Sequence, residues 1–383
     1  MKRCVYLFTA VLMAVSLLPV RAQAVELPIK SKAVVLMEKE TGQVLYAQNE
    51  HEQLEPASVT KVMTLLLVME AIDSGALHYD DMVTASDYAS SMGGSQIFLK
   101  AGEQMSVEDL LKGVCVASGN DACVALAEHL AGVTELFVAQ MNNRARELGM
   151  NDTNFVNCNG LPAEGHVTSA YDIALMSREL ILHHPDIRRF TTIWMDTIRG
   201  GEFQLSNTNK LICFYDGATG LKTGSTGSAG YCISATAEKE GMELIAVTLH
   251  ADTSSDRFED AKALLNYGFS TYTLLDAGEG VALEPVPVTL GAVETVTPVL
   301  SDQGRRLLVE RSQAAGVERT VTLPETLEAP VEQGQQLGEV TVTAGETVLA
   351  TVPILAGEAV PRLTWSQMFL RLLTMAVTGT ESK

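Results

Sequence analysis

The sequence runs to 383 residues with 27 Lys and Arg against 47 Asp and Glu, a formal charge of −20. At 46% hydrophobic residues it is a globular chain and not a disordered one. Its acidic surface repels phosphate backbones, which excludes nucleic acid as a partner. In chain order, Lys2-Arg3 leads into an uncharged apolar run from Cys4 to Val20 and then Arg21-Ala22-Gln23-Ala24. This reads as a signal peptide over residues 1–24, because the run is shorter than the ~20 residues that span a bilayer and ends in a small-residue site. An uncleaved anchor helix is the alternative. Cleavage removes Lys2, Arg3, Arg21 and no acid, leaving −23 and an odd set of five cysteines, so at least one thiol stays unpaired within the chain.

Ala33–Met37 and Val44–Tyr46 flank Thr41-Gly42 and read as a hairpin. Val62, Leu65, Leu66, Met69 and Ile72 then recur at helical spacing, predicting an amphipathic helix with Pro56 near its start and Gly75 near its end. Residues 106–160 read as largely helical. Ala229–Ala237 and Met242–His250 form a second hairpin around Glu238–Gly241, and Asp256–Tyr267 returns to a helical pattern. Residues 25–275 are therefore a mixed unit of helices and strands, its sheet closed by the first and last segments with helices between.

From Asp276 the composition shifts. Residues 276–360 hold no Lys, four Arg and thirteen acids, and turn signals at Pro285, Gly291, Gly304, Gly316, Pro324, Gly334, Gly338 and Gly345 separate short Val- and Thr-rich runs. That spacing predicts a small all-β sandwich or barrel. In residues 361–383, Trp365, Met368, Phe369, Leu372, Leu373 and Ala376 form a helical apolar stripe with Arg362 and Arg371 at its sides. Such a helix suits a membrane interface, or else docks on the β domain.

Three short motifs carry the chemistry. Ser58-Val59-Thr60-Lys61 is an S-x-x-K at the predicted helix start, Ser118-Gly119-Asn120 an S-x-N, and Lys222-Thr223-Gly224 a K-T-G just before the late hairpin. Each is weak alone, the first two occurring by chance about once in a chain of this length, but the ordered set is specific. A Ser hydroxyl needs a base to become a nucleophile. Lys61 lies one helical turn from Ser58, and it serves as base only when desolvation or a second cation such as Lys222 keeps its amine neutral. The N–H of Ser58 at a helix start is a natural oxyanion donor. Ser118 is placed to relay a proton, and Asn120 to bond a peptide in both directions. Lys222 and Thr223 offer a cation and a hydroxyl to a terminal carboxylate, while Gly224 leaves the strand edge open to an added substrate strand.

These motifs are those of penicillin-binding proteins and class A β-lactamases. The wider text resembles the low-molecular-mass penicillin-binding proteins, the serine-type D-alanyl-D-alanine carboxypeptidases. The stretches that carry the resemblance are Glu55–Thr64, Met92-Gly93-Gly94-Ser95, Gly119–Ala122, Asn157–Pro162 and Gly220–Gly224 with Ala229-Gly230-Tyr231. The resemblance implies an α+β fold: a catalytic domain of β-lactamase type over 25–275, with an antiparallel sheet, flanking helices and a helical subdomain. It further implies a β-rich domain over 276–360 that stands the catalytic part off the membrane, and an amphipathic anchor over 361–383. It implies acylation of Ser58 with Lys61 as base, Ser118 and Asn120 as the second motif, Lys222 and Thr223 on the substrate carboxylate, and the N–H of Ser225 as second oxyanion donor. The expected substrate is a peptidoglycan stem peptide ending in D-Ala-D-Ala, with β-lactams as inhibitors and no metal or organic cofactor. The expected location is the extracytoplasmic face of the bacterial membrane, held peripherally. Two stretches depart from the family's usual text: Asn157-Cys158-Asn159-Gly160 lacks the usual histidine, and Asn207-Thr208-Asn209-Lys210 lacks the arginine some members carry before the K-T-G.

Other residues read blandly. The seven His form no H-E-x-x-H, and His183-His184 before Pro185 marks a helix end. Cys115, between Val114 and Val116, reads as a buried thiol. A β-lactamase would need a Glu to activate the deacylating water; no E-x-x-L-N follows Ser118 and Asn151–Asn159 contains no Glu, so bound penicillin is expected to leave slowly. A catalytically silent scaffold would have no need of matched Ser58 and Lys61.

Overall fold

The computed structural model describes residues 26–378, so the expected signal segment and the last five residues of the expected anchor lie outside the described residues. Ala33–Glu38 (β1) is buried at every position. An unbroken apolar run of this kind fits a strand covered on both faces. Val35 and Met37 join one core cluster, and Val34 and Leu36 join another on the opposite face. β1 pairs antiparallel with Val44–Gln48 (β2) across the expected hairpin. Leu211–Phe214 is a short helical turn before the strand Ala218–Thr226 (β3), which is followed by Gly230–Lys239 (β4) and Met242–Ala251 (β5). The sheet order is β2-β1-β5-β4-β3, all antiparallel, so first and last segments do close one sheet and β3 is an edge. The K-T-G lies just ahead of the late hairpin, inside β3, a strand of its own that pairs with β4.

Ser58 stands in a 3-10 turn, Ala57–Thr60, that runs into the α-helix Lys61–Asp73 (α1). The expected amphipathic pattern does not hold for α1. Val62, Met63, Thr64, Leu65, Leu66, Val68 and Met69 are all buried, covering nearly every side. The reason is its place at the centre of the domain, packed among Asn120–Ala131 (α3), Thr134–Glu147 (α4) and Ala170–His183 (α5). A helix covered all round is apolar all round. Val107–Cys115 (α2) precedes α3 and packs against it. Ser106 and Ser169 cap α2 and α5 by accepting from Asp109 and Asp172 backbone N–H groups. Residues 106–160 are largely helical as expected, but their last part, 148–160, is a loop. Gly149, with φ +75°, ends α4, and Asn157 and Asn159 bond the backbone N–H groups of Gly160 and Leu161 in competition with helix.

Ser254–Thr271 (α6) covers the other sheet face with Leu264, Leu265 and Phe269. Beyond Tyr272–Asp276 the chain is β-rich. A four-stranded sheet runs in the order Pro298–Leu300, Thr347–Ala356, Gln336–Ala344, Val317–Thr322, and a three-stranded one in the order Thr295–Val296, Val286–Thr289, Leu327–Glu328. Val286, Val288, Val296, Leu337 and Ala356 form a core shared between them. The small all-β unit is thus a pair of packed sheets, followed by the helix Trp365–Thr378 (α7).

Candidate active site

The 3-10 turn brings Ser58 and Lys61 together, since residues three apart eclipse in that geometry. Lys61 Nζ donates to Ser58 Oγ at 2.9 Å, to Asn120 Oδ1 at 2.6 Å and to the Asn159 carbonyl at 2.6 Å. All three partners are neutral oxygens, and Lys61 has no exposed surface. Burial therefore pulls its amine down from 10.5 to about 8. Lys222, also buried, donates to the Thr223 carbonyl at 3.0 Å. Burial first, and then the positive charge of Lys61, hold Lys222 well below the usual lysine range.

The second motif straddles a helix start. Ser118 lies on the turn from α2 to α3 at φ +63°, and Asn120 is the first residue of α3. Asn120 is fixed at both ends of its amide, its Nδ2 donating to the Gly93 carbonyl at 2.7 Å and its Oδ1 accepting from Lys61. That assigns the Met92–Ser95 stretch its part: it orients Asn120, whose own N–H donates to the Ser95 carbonyl at 2.7 Å. Ser118 is buried to 4% exposure beside this array.

On β3 the reason for Gly224 differs from the expected open edge. A Cβ there would stand 2.8 Å from the Pro56 carbonyl oxygen and 2.8 Å from the Ser58 nitrogen. The strand backbone presses directly on the Ser58 turn, and only glycine permits it. Thr223 Oγ1 donates to Thr208 Oγ1 at 2.6 Å, so the stretch without the arginine supplies a hydroxyl against the K-T-G. Ser225 follows on the exposed end of the strand, where Ser228 bonds the Glu55 carboxylate across to the nucleophile segment.

Several contributors went unread in the sequence. The backbone carbonyl of Asn159 accepts from Lys61, and Gly160, at φ +85°, would place a Cβ 1.9 Å from the Ala57 oxygen. The signal was the departure Asn157–Gly160, whose tight Asx turns suit a loop wedged under the nucleophile. Arg257, 7% exposed, donates from behind β3 to the Gly224 carbonyl at 2.9 Å and the Cys232 carbonyl at 3.2 Å. It stacks on Tyr231 and Phe258 at 5.3 and 4.8 Å. Cys115 is buried and its thiol pushed up to about 12, and Cys123 bonds the Cys158 carbonyl at 3.1 Å beneath Lys61. Among the described residues the five cysteines are free, and no three His, Cys, Asp or Glu gather as a metal-holding set.

The constellation is thus a hydroxyl held by a desolvated amine, with a second buried amine, a doubly fixed amide and a glycine strand edge against the nucleophile turn. Such a set suits acyl transfer through a serine ester. Comparison with known proteins agrees. A family model described as D-alanyl-D-alanine carboxypeptidase matches residues 20–253, and one described as the penicillin-binding protein 5 C-terminal domain matches residues 269–362. The D-alanyl-D-alanine carboxypeptidase DacF of Bacillus subtilis is 42% identical over 339 residues, covering 87% of this chain and 86% of its own. Penicillin-binding protein 5 of Haemophilus influenzae superposes with a TM-score of 0.75 at 30% identity, over 89% of this chain and all of its own. Penicillin-binding protein D2 of Listeria monocytogenes, solved in its ampicillin-bound form, superposes with a TM-score of 0.59 at 34% identity, over 64% of this chain and all of its own.

Proposed function

The chain belongs to the D-alanyl-D-alanine carboxypeptidase family, and on that premise we propose that Ser58, Lys61 and Ser118 carry its reaction while Asn120, Lys222, Thr223, Gly224 and Ser225 hold its substrate. The protein is a serine DD-carboxypeptidase: it removes the terminal D-alanine from peptidoglycan stem pentapeptides through an acyl-enzyme on Ser58, and penicillins acylate it. The observation that most supports the assignment of roles is the Lys61 amine, buried and 2.9 Å from Ser58 Oγ.

Lys222 and Thr223 receive the substrate's terminal carboxylate, and the peptide lies along β3 with Asn120 on its amide groups. Ser58 Oγ attacks the carbonyl carbon of the penultimate D-alanine and its proton passes to Lys61 Nζ. The tetrahedral oxyanion is met by the N–H groups of Ser58 and Ser225. As the intermediate collapses, the amine of the terminal D-alanine leaves with the proton returned from Lys61, relayed by Ser118. Water then adds to the ester with Lys61 again as base, giving the tetrapeptide and free Ser58. In a penicillin the cleaved ring nitrogen stays tethered to the acyl group, and with no E-x-x-L-N after Ser118 and no Glu in Asn151–Asn159 to speed the water, release is slow.

A peripheral membrane location is the reading that the exposed face of α7 supports. Trp365 is 90% exposed and Phe369, Leu372 and Leu373 are exposed along α7, which supports an interfacial helix holding the protein at the extracytoplasmic membrane face. Among the described residues no single helix is long and apolar enough to cross a membrane.

The test is release of D-alanine from an N-acetylated pentapeptide. Wild type is expected to release one D-alanine per peptide, and Ser58→Ala none above background. Release by Ser58→Ala, or wild-type cleavage at another bond, refutes the assignment.

A further inference from the structure

Behind the nucleophile turn lies a polar chain that the reaction does not use directly. His166 is 2% exposed, its ring 5.9 Å from that of Phe155. The Val156 N–H donates to His166 Nδ1 at 2.9 Å, and His166 Nε2 is 2.8 Å from Thr60 Oγ1. Thr60 Oγ1 lies 2.8 Å from the Ala57 carbonyl oxygen. The directions are forced at both ends, because a backbone N–H only donates and a carbonyl only accepts. Nδ1 is therefore bare, Nε2–H donates to Thr60, and Thr60 O–H donates to Ala57. Burial, opposed weakly by Glu55, pushes the His166 ring from 6.5 down to about 4, in keeping with this neutral tautomer.

The chain ends on the residue whose backbone most needs holding. Ala57 has φ +49°, a left-handed conformation that costs a non-glycine residue energy. The carbonyl of Ala57 and the N–H of Ser58 belong to one planar peptide unit and point in opposite directions. Whatever fixes the Ala57 oxygen therefore aims the Ser58 N–H. The same peptide is pressed from another side by Gly160, whose Cβ, if present, would sit 1.9 Å from that oxygen. The unit is clamped between a hydroxyl and a glycine backbone.

We infer that His166 is a positioning residue for the acyl transfer, acting through Thr60 on the Ala57–Ser58 peptide to aim the Ser58 N–H at the developing oxyanion. This rests on the role proposed above for that N–H. A donor aimed at charge that develops only in the transition state governs the rate of acylation and not the binding of the ligand. The clamp's effect is thus confined to one kinetic constant, which a general packing role would not single out.

The experiment is stopped-flow acylation of the full chain by a fluorescent penicillin, separating the limiting acylation rate from the half-saturating concentration, with thermal melting alongside. The variants are His166→Leu, His166→Gln and Thr60→Val. His166→Leu is expected to lower the limiting rate at least about tenfold, short of the 10²–10³ lost when an oxyanion donor is removed outright, with half-saturation within about twofold of wild type. His166→Gln places an amide nitrogen the same number of bonds from Cα as Nε2, and is expected to recover most of the rate. Thr60→Val is expected to match His166→Leu, and the double variant to be no slower than Thr60→Val alone. Wild-type limiting rates in folded His166→Leu or Thr60→Val overturn the inference. So does failure of a folded His166→Gln to exceed Thr60→Val, a comparison that stands even where His166→Leu does not fold. Labelling of Ser58→Ala under the same conditions would instead refute the nucleophile assignment, a separate failure.

Discussion

Lys61 sets the pH behaviour of the site. A base must be unprotonated to take the serine proton, and burial brings this amine down to about 8, so about a tenth of it is free at pH 7. Acylation by a penicillin should therefore rise with pH through about 8, and a rate independent of pH from 6 to 9 would contradict Lys61 as base. Lys61→Ala should cost about 10²–10⁴ in acylation rate, the usual span for a lost general base, without loss of the fold. His166 adds a second effect of the same sign, on stability instead of rate. Its folded value near 4 lies below 6.5, so the unfolded chain binds the extra proton and stability rises with pH across that window. Acidification from about 6.5 to 4 should thus remove about 3 kcal/mol, seen as a falling melting temperature that flattens in His166→Gln. At this scale the side chains that the structure brings together around Ser58 were legible because three motifs fix residue type and spacing. The Asn159 carbonyl and the Thr60–His166 contact were not, since a backbone oxygen has no sequence signature and His166 lies 106 positions from its partner.

Among the elements, β3 and α1 decide whether the site assembles. β3 reads ATGLKTGST, with little alternation of apolar and polar residues, so periodicity gives it no bounds and only the K-T-G marks its edge. Its small residues answer to neighbours instead of to a solvent face: Gly224 to the nucleophile turn, and Gly220, whose Cβ would stand 3.1 Å from Thr191. Gly224→Ala should push the strand off the Pro56–Ser58 backbone and slow acylation more than about tenfold, because a shift near 1 Å suffices for such losses. An unchanged rate in this variant would mean the strand and turn are not locked together. Spacing places the helix at α1, but the stripe of five apolar residues is only part of its buried surface, which Met63, Thr64 and Val68 complete. Leu66→Ala should cost about 2–5 kcal/mol in chemical denaturation, the span for a buried Leu with little room to collapse.

For the molecule as a whole, charge is divided by region. The segment 276–360 carries four Arg against thirteen acids, while the candidate site gathers Lys61 and Lys222, the charge that the proposed carboxylate-ended substrate calls for. An acidic β unit repels anionic lipid, and Arg362 and Arg371 are already engaged by Glu328 and Glu294. On the membrane role proposed above, retention on vesicles would come from the exposed apolar residues of α7, Trp365, Phe369, Leu372 and Leu373. Deleting residues 361–383 should leave D-alanine release from soluble peptide unchanged and abolish flotation with vesicles of mixed zwitterionic and anionic lipid. Persistent flotation would place the attachment elsewhere. The two-part organisation was legible in the sequence because composition changes abruptly near Asp276, and the closure of one sheet by the chain's first and last segments followed from strand order alone. How the loop 148–169 folds under the nucleophile was not, because its turns are set by local Asn–backbone bonds that no periodicity announces. The most direct test of the central claim is peptide mapping by mass spectrometry after brief exposure to benzylpenicillin. The account predicts a single penicilloyl adduct on Ser58, absent from Ser58→Ala; an adduct on any other residue, or none on wild type, would contradict it.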